Sequence, residues 1–165
     1  MISEIKIEEA FSYHLPIIDV RSPGEFNHGH IPEVINIPLF SNDERAHVGI
    51  VYKQNSKEAA IEIGYTYVKP KLKSFISDAL NVAPNKKVIV HCWRGGMRSG
   101  SMAWLFETAG FTVYLLNGGY KAYRAYNREQ FLKKAEIIVL GGMTGSGKTE
   151  VLHEMIKMGH QVLDL

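Results

Sequence analysis

Residues 86–91 (KKVIVH) run straight into Cys92, a pair of glycines and a helical stretch, and this junction limits the fold more than any other part of the chain. A short β-branched run without polar alternation belongs in a strand covered on both faces, which means a parallel sheet between helices. The pattern recurs along the sequence. Residues 17–20 (IIDV) read as a second buried strand that delivers Asp19 and Arg21 to its C-terminal end. Ser22-Pro23-Gly24-Glu25 then supplies a capping box, so a short helix should begin at Pro23 and stop near Gly29. Further strands are expected at 34–37 and 112–116. Helices are expected at 42–55, from Ser56 to a break or kink at Pro70, from about Ser99 to 108, and at 120–134. The whole is an α/β arrangement.

The pattern restarts near 130–135. Residues 136–140 (EIIVL) read as a new strand, followed by a glycine-rich turn, a helix through Met158 and a last strand at 161–165. The sequence therefore predicts a first domain over 1–133 and the truncated start of a second over 134–165. With 165 residues the chain can bury a sizeable core without covalent staples. Its single cysteine rules out an intramolecular disulfide. The opening MISEIKIEEAFSYH is acidic and amphipathic, with no signal-peptide core, and no run approaches a membrane span, so a cytoplasmic protein is expected. A net charge of +2 argues neither for nor against a nucleic-acid partner.

Cys92 sits where chemistry is favoured. The loop Cys92-Trp93-Arg94-Gly95-Gly96-Met97-Arg98 joins a strand to a helix N-terminus, and its glycines let backbone N–H groups turn inward. Such a ring cradles an anion and stabilises a thiolate at its centre. Arg94 and Arg98 add charge, and Arg98 is placed to grip an oxyanion in two-pronged fashion. Cys92 should be a nucleophile with a lowered pKa, with Cys92, Arg94 and Arg98 catalytic and Trp93, Gly95, Gly96 and Met97 shaping the anion loop. The covalent atom, phosphorus, sulfur or selenium, is left open by these residues.

The second pattern is Gly142-Met143-Thr144-Gly145-Ser146-Gly147-Lys148-Thr149, a complete G-x4-G-K-[ST] between a predicted strand and a predicted helix. Gly142, Gly145 and Gly147 would let the backbone wrap a phosphate, Lys148 would reach the outer phosphates and Thr149 would ligate Mg²⁺. A nucleotide site needs further strands and a second carboxylate. Asp164 is a candidate for the latter, and the chain alone is not expected to hydrolyse nucleotide.

Two families share the cysteine chemistry. His91-Cys92, five residues, then Arg98-Ser99 matches the HC-x5-R-[ST] signature of cysteine-dependent phosphatases. Over about residues 5–130 the chain more closely resembles rhodanese domains, through DVRSPGEF at 19–26, Gly29-His30-Ile31-Pro32, Asn36-Ile37-Pro38 and Leu116-Asn117-Gly118-Gly119-Tyr120. The cysteine loop is one residue longer than in common sulfurtransferase rhodaneses and has the length of the phosphatase relatives, which suits a phosphate-sized anion or a larger chalcogen. CWRGGMRS followed by GGMTGSGKTEVL, with YKQNSKEAA and LNGGYKAYR, resembles the tRNA 2-selenouridine synthase family. That resemblance implies a rhodanese-like parallel sheet flanked by helices, followed by the first strand-helix-strand unit of a P-loop domain. It implies selenium from selenophosphate replacing the sulfur of wobble 2-thiouridine in tRNA, a selenenylsulfide on Cys92, and a geranylated intermediate. The phosphate loop would take geranyl diphosphate or a nucleotide. No tightly bound cofactor is implied; a selenophosphate-supplying enzyme is an implied partner. A phosphatase or a general sulfurtransferase is the alternative.

Other residues read more plainly. Asp19 and Arg21 suggest a structural ion pair, and His91 a packing or hydrogen-bonding residue. His28 and His30 lack partners at ligand spacing, so no metal site is expected. Trp93 could stack on a base or simply pack at the rim. Lys69, Lys71, Lys73, Lys86, Lys87, Arg124, Arg128, Lys133 and Lys134 could form a tRNA-facing surface or be solvated charges.

Overall fold

The computed structural model describes residues 2–134 and 137–163, in two compact units divided between Leu132 and Lys133. In the first unit, five parallel strands lie in the order β1-β5-β4-β2-β3: β1 (Ile2–Ile5), β2 (Ile17–Asp19), β3 (Ile35–Asn36), β4 (Lys87–His91) and β5 (Thr112–Leu116). The central strand β4 is the one read first in the sequence. Val88, Ile89, Val90 and His91 are all fully buried, as expected of a strand covered on both faces.

Eight helices complete the described chain: α1 (Ile7–Ser12), α2 (Pro23–His28), α3 (Asn42–Gln54), α4 (Lys57–Val68), α5 (Leu72–Val82), α6 (Met97–Thr108), α7 (Gly119–Gln130) and α8 (Lys148–Lys157). Their starts follow local chemistry. Ser22, Ser41 and Ser56 accept hydrogen bonds from Glu25, Glu44 and Ala59 N–H groups, capping α2, α3 and α4. Pro70 sits in a 3₁₀ turn, Lys69–Lys71, between α4 and α5, which is the predicted break. One core packs Val88, Val90, Phe106 and Phe75 on one side of the sheet, and another packs Ile89, Ile31 and Leu116 on the other.

Three expectations change. The N-terminal segment forms a strand and helix, not merely an amphipathic stretch, because β1 finds an edge partner in β5. Helix α6 begins at Met97, before the expected Ser99, with Gly96 as its N-cap, so Met97 and Arg98 lie in its first turn. Helix α7 ends at Gln130, short of 134.

In the second unit only the helix of the predicted strand-helix-strand forms. Residues 137–140 and 161–163 are not strands among the described residues, and Glu136, Asp164 and Leu165 lie outside them. A parallel strand is held by hydrogen bonds to neighbours. Here Ile137, Ile138 and Val139 are 80–91% exposed with nothing to pair with among the described residues.

Candidate active site

Strand order places the cysteine. From β2 the chain moves outward to β3 and then crosses back to β4, so the topology reverses between β2 and β4, and ligands of open α/β sheets bind in the crevice at such a point. The β4–α6 loop and the β2–α2 turn both open there.

Cys92 is 3% exposed, with its Sγ 3.2 Å from Ser99 Oγ. Burial alone pushes the thiol pKa up. The Ser99 hydroxyl and the backbone N–H groups of Ser99, Arg94 and Gly96 outweigh it, and the thiol lies below its ordinary value. The backbone N–H groups of Ser99, Arg94 and Gly96 and the Ser99 hydroxyl all face one sulfur, and that hydroxyl also lies 3.0 Å from Gly96 O, which it can donate to. Ser99, read only as a signature residue and helix start, belongs to the site.

The loop is held open from behind. The carbonyls of Cys92 and Trp93 accept hydrogen bonds from Tyr120 N–H (2.9 Å) and Lys121 N–H (3.0 Å) in the first turn of α7, which turns loop carbonyls away from the thiol. Gly119 makes this approach possible. At φ +56° a Cβ there would stand 2.3 Å from Cys92 O and 2.8 Å from Gly95 N, so no other residue fits.

The Arg98 guanidinium, expected to grip an oxyanion, is paired here with a carboxylate. Its Nη1 donates to Glu25 Oε2 (2.6 Å) and its Nη2 to Glu25 Oε1 (3.3 Å). Glu25 also accepts from Ser22 N–H and lies 3.7 Å from Arg45 Nε. Burial raises the Glu25 pKa, but Arg98, Ser22 and Arg45 together hold it below the usual carboxylate range. Arg94 is exposed, and its guanidinium has no carboxylate partner among the described residues. Met97 is 55% exposed and points away from the core, and Trp93 lies 5.7 Å from the Tyr120 ring, a rim packing position.

Beneath the loop, Asp19 and Arg21 form a fully buried two-pronged ion pair, with Nη2 2.6 Å and Nε 2.9 Å from Oδ2. Arg21 also donates to Gly29 O (2.8 Å) and lies 3.9 Å from the Tyr120 ring centroid. This pair ties the β2–α2 turn to the start of α7. His91 is buried beside it, Nε2 3.9 Å from Asp19 Oδ2; burial outweighs the Asp19 charge and keeps its pKa low, so the ring is neutral near pH 7.

These features coincide with a known pattern: the description of the rhodanese-like domain matches residues 6–126. The chain belongs to the rhodanese-like domain family. A similar solved structure, the N-terminal domain of a protein from Clostridium difficile 630 provisionally described as ATP/GTP binding, is 45% identical over 76% of this chain and 98% of that one, with a TM-score of 0.72. Two curated relatives are named tRNA 2-selenouridine synthase. The one from Bdellovibrio bacteriovorus is 40% identical over 97% of this chain and 43% of its own, and the one from Nitrosomonas europaea 39% over 91% and 40%. This rhodanese-like chain thus spans about two fifths of the length of those relatives.

In the second unit, described by itself, the phosphate-binding pattern forms a turn into α8. Gly145 and Gly147 adopt φ of +79° and +78°, backbone that favours glycine. The Lys148 ammonium folds back onto the turn, donating to Gly142 O (3.0 Å) and Met143 O (2.8 Å), and Thr149 is exposed.

Proposed function

We propose that this chain is the selenium-handling part of a tRNA 2-selenouridine synthase, with Cys92 as the covalent nucleophile. The reading is carried by the Cys92 thiol held below its ordinary pKa among the Ser99 hydroxyl and three loop amides, in a chain about 40% identical to relatives of that name. The loop amides would hold the phosphate of selenophosphate while its selenium meets Cys92. Arg98, presented by Glu25 at the α6 N-terminus, would steady that phosphate, and the exposed Arg94 would draw in the dianion.

Redox balance sets a condition. Thiolate and selenophosphate both hold their chalcogen fully reduced, so a Cys92 selenenylsulfide forms only with loss of two electrons as phosphate departs to water. A disulfide is the class of acceptor that closes the step. The Cys92 perselenide would then attack position 2 of the wobble uridine in an S-geranylated 2-thiouridine tRNA, in the cytoplasm, expelling the geranylthiolate; attack of that thiolate on the Cys92 sulfur would break the S–Se bond, leaving a disulfide on Cys92 and selenium on the base. The phosphate loop from Gly142 through Gly145 and Gly147 to Lys148 and Thr149 would take the diphosphate of geranyl diphosphate or a nucleotide, with Mg²⁺ at Thr149. The exposed cations on α7, Arg124 and Arg128, with Lys133, Lys134, Lys69, Lys73, Lys86 and Lys87, would meet the tRNA backbone. Lys71 is withdrawn from that set, because Glu44 pairs with it.

Mass analysis of nucleosides from S-geranylated tRNA incubated with selenium-loaded protein tests the reading. 2-Selenouridine should form with the native chain and not with Cys92→Ser; unchanged tRNA with loaded native protein would overturn it. The loop length favours a second reading, hydrolysis of a phosphate monoester through a phosphothiolate on Cys92, and a burst of phosphate from an aryl phosphate would support that instead.

A further inference from the structure

Helix α7 has two opposite faces, and only one of them serves the core. Tyr120, Tyr123 and Tyr126 pack on the Ile89, Ile31 and Leu116 side of the sheet, and the Phe11 ring lies 6.3 and 6.1 Å from the last two tyrosines. On the outer face Lys121, Arg124 and Arg128 recur at helical spacing, all exposed, and no carboxylate pairs with them among the described residues. Glu129, the one carboxylate of the helix, lies about a quarter turn off this stripe. The stripe begins at the cysteine loop, where Lys121 N–H donates to Trp93 O (3.0 Å). Arg94, the next residue of that loop, is exposed and likewise has no carboxylate partner among the described residues.

From Lys121 to Arg128 the stripe rises about 10 Å along the helix. A stacked nucleic-acid strand carries one charge per about 3.4 Å, so these cations match about three successive phosphates. Trp93 stands at the loop end. It is half-buried, its ring tilted at 53° to Tyr120 with centroids 5.7 Å apart, so part of the indole stays open. An open aromatic ring at the head of a row of cations is the combination that holds single-stranded RNA, with phosphates on the charges and a base on the ring. A lipid surface would need large apolar side chains on the same face, and here Ala125 is the apolar residue nearest the stripe. An acidic peptide would have no use for the ring.

We infer that the outer face of α7 is the track along which a single-stranded RNA loop reaches the cysteine, with its phosphates on Lys121, Arg124 and Arg128 and a base stacked on Trp93. In naming the loop as the anticodon loop of tRNA, this rests on the selenium-transfer reading. It narrows a cationic set spread over several elements to one helix face that touches the catalytic loop. The stacked base would be the neighbour of the wobble uridine, which leaves the uridine itself free to turn toward Cys92.

Fluorescence anisotropy of a labelled anticodon stem-loop RNA, titrated with the full chain at several salt concentrations, tests the assignment. Replacing Lys121, Arg124 and Arg128 together by Gln should weaken binding about tenfold or more at low salt and flatten the logarithmic salt dependence by about 2, three phosphate contacts in all. Trp93→Ala should weaken binding about fivefold or more and leave the salt dependence unchanged, because stacking releases no counterions. The triple variant should keep the native melting temperature, since the three side chains are exposed. Native affinity in the triple variant would overturn the inference. A loss no larger than that from Lys69→Gln with Lys73→Gln, two exposed cations off this helix, would overturn it too. Tighter, stripe-dependent binding of a polyglutamate peptide or of phosphatidylserine vesicles would give the face to another partner and contradict the assigned occupant. RNA affinity that depends on both the stripe and Trp93, in a protein that never loads selenium on Cys92, would retain the track and remove only the selenium-transfer reading.

Discussion

Arg98 and Glu25, 73 residues apart in sequence, are joined by a two-pronged ion pair, Nη1–Oε2 2.6 Å and Nη2–Oε1 3.3 Å. The carboxylate that closes the α2 capping box therefore also fixes the direction of the arginine beside the nucleophile. Arg98 acts from a tethered position, with Glu25 as its positioning residue.

The tether should be visible in anion binding. Inorganic phosphate is expected to protect Cys92 from iodoacetamide, and Glu25→Gln should weaken that protection several-fold, approaching the loss in Arg98→Met. Protection unchanged in Glu25→Gln would mean that Arg98 finds the anion without guidance.

Ser99 should control the thiol. The donors around Cys92 outweigh the effect of burial, so the alkylation rate should rise through an inflection below pH 9.0, the ordinary thiol value. Ser99→Ala removes the hydroxyl 3.2 Å away, which can turn from Gly96 O to donate to the thiolate, and should move that inflection upward. An unmoved inflection would assign the lowered pKa to the amides alone.

Gly119→Ala should disable the loop without touching the thiol directly. The added carbon meets backbone atoms 2.3 and 2.8 Å away at φ +56°, so the loop must shift. The left-handed backbone alone costs about 1–2 kcal/mol. A lower melting temperature with a thiol inflection returned toward its ordinary value is expected; native reactivity in this variant would show that α7 does not shape the cradle.

Acid sensitivity should come in two stages. His91 has a lowered folded pKa, so the unfolded chain takes up its proton first, and stability present above about pH 6.5 is lost as pH falls. Glu25, also lowered, contributes above about pH 4.3 and is lost below that. Denaturant unfolding of His91→Asn should lack the upper stage. A slope between pH 6.5 and 5 identical to the native protein's would contradict this. Breaking the buried pair itself, with Asp19→Asn, should cost about 3–5 kcal/mol because the buried Arg21 loses its counter-charge.

Much of the site is local, and that part was readable. The Ser22 capping box, the β4 strand and the glycine pair after Cys92 depend on neighbours within a few residues, and each lies where the sequence put it. The Arg98–Glu25 pair and the contact of Gly119 on the Cys92 carbonyl are long-range and have no sequence periodicity to reveal them. β1 escaped notice because four residues become a strand only through β5. Residues 137–140 erred the other way: strand-forming residues stay unpaired where no neighbour is at hand.

The central claim is that Cys92 carries selenium. Intact mass of the protein after incubation with selenophosphate and a cyclic disulfide, beside Cys92→Ser and a thiosulfate control, measures this directly. The account predicts the added mass of one selenium atom on the native chain and none on Cys92→Ser. A sulfur adduct from thiosulfate with no selenium adduct under any acceptor would contradict it and leave a general sulfurtransferase.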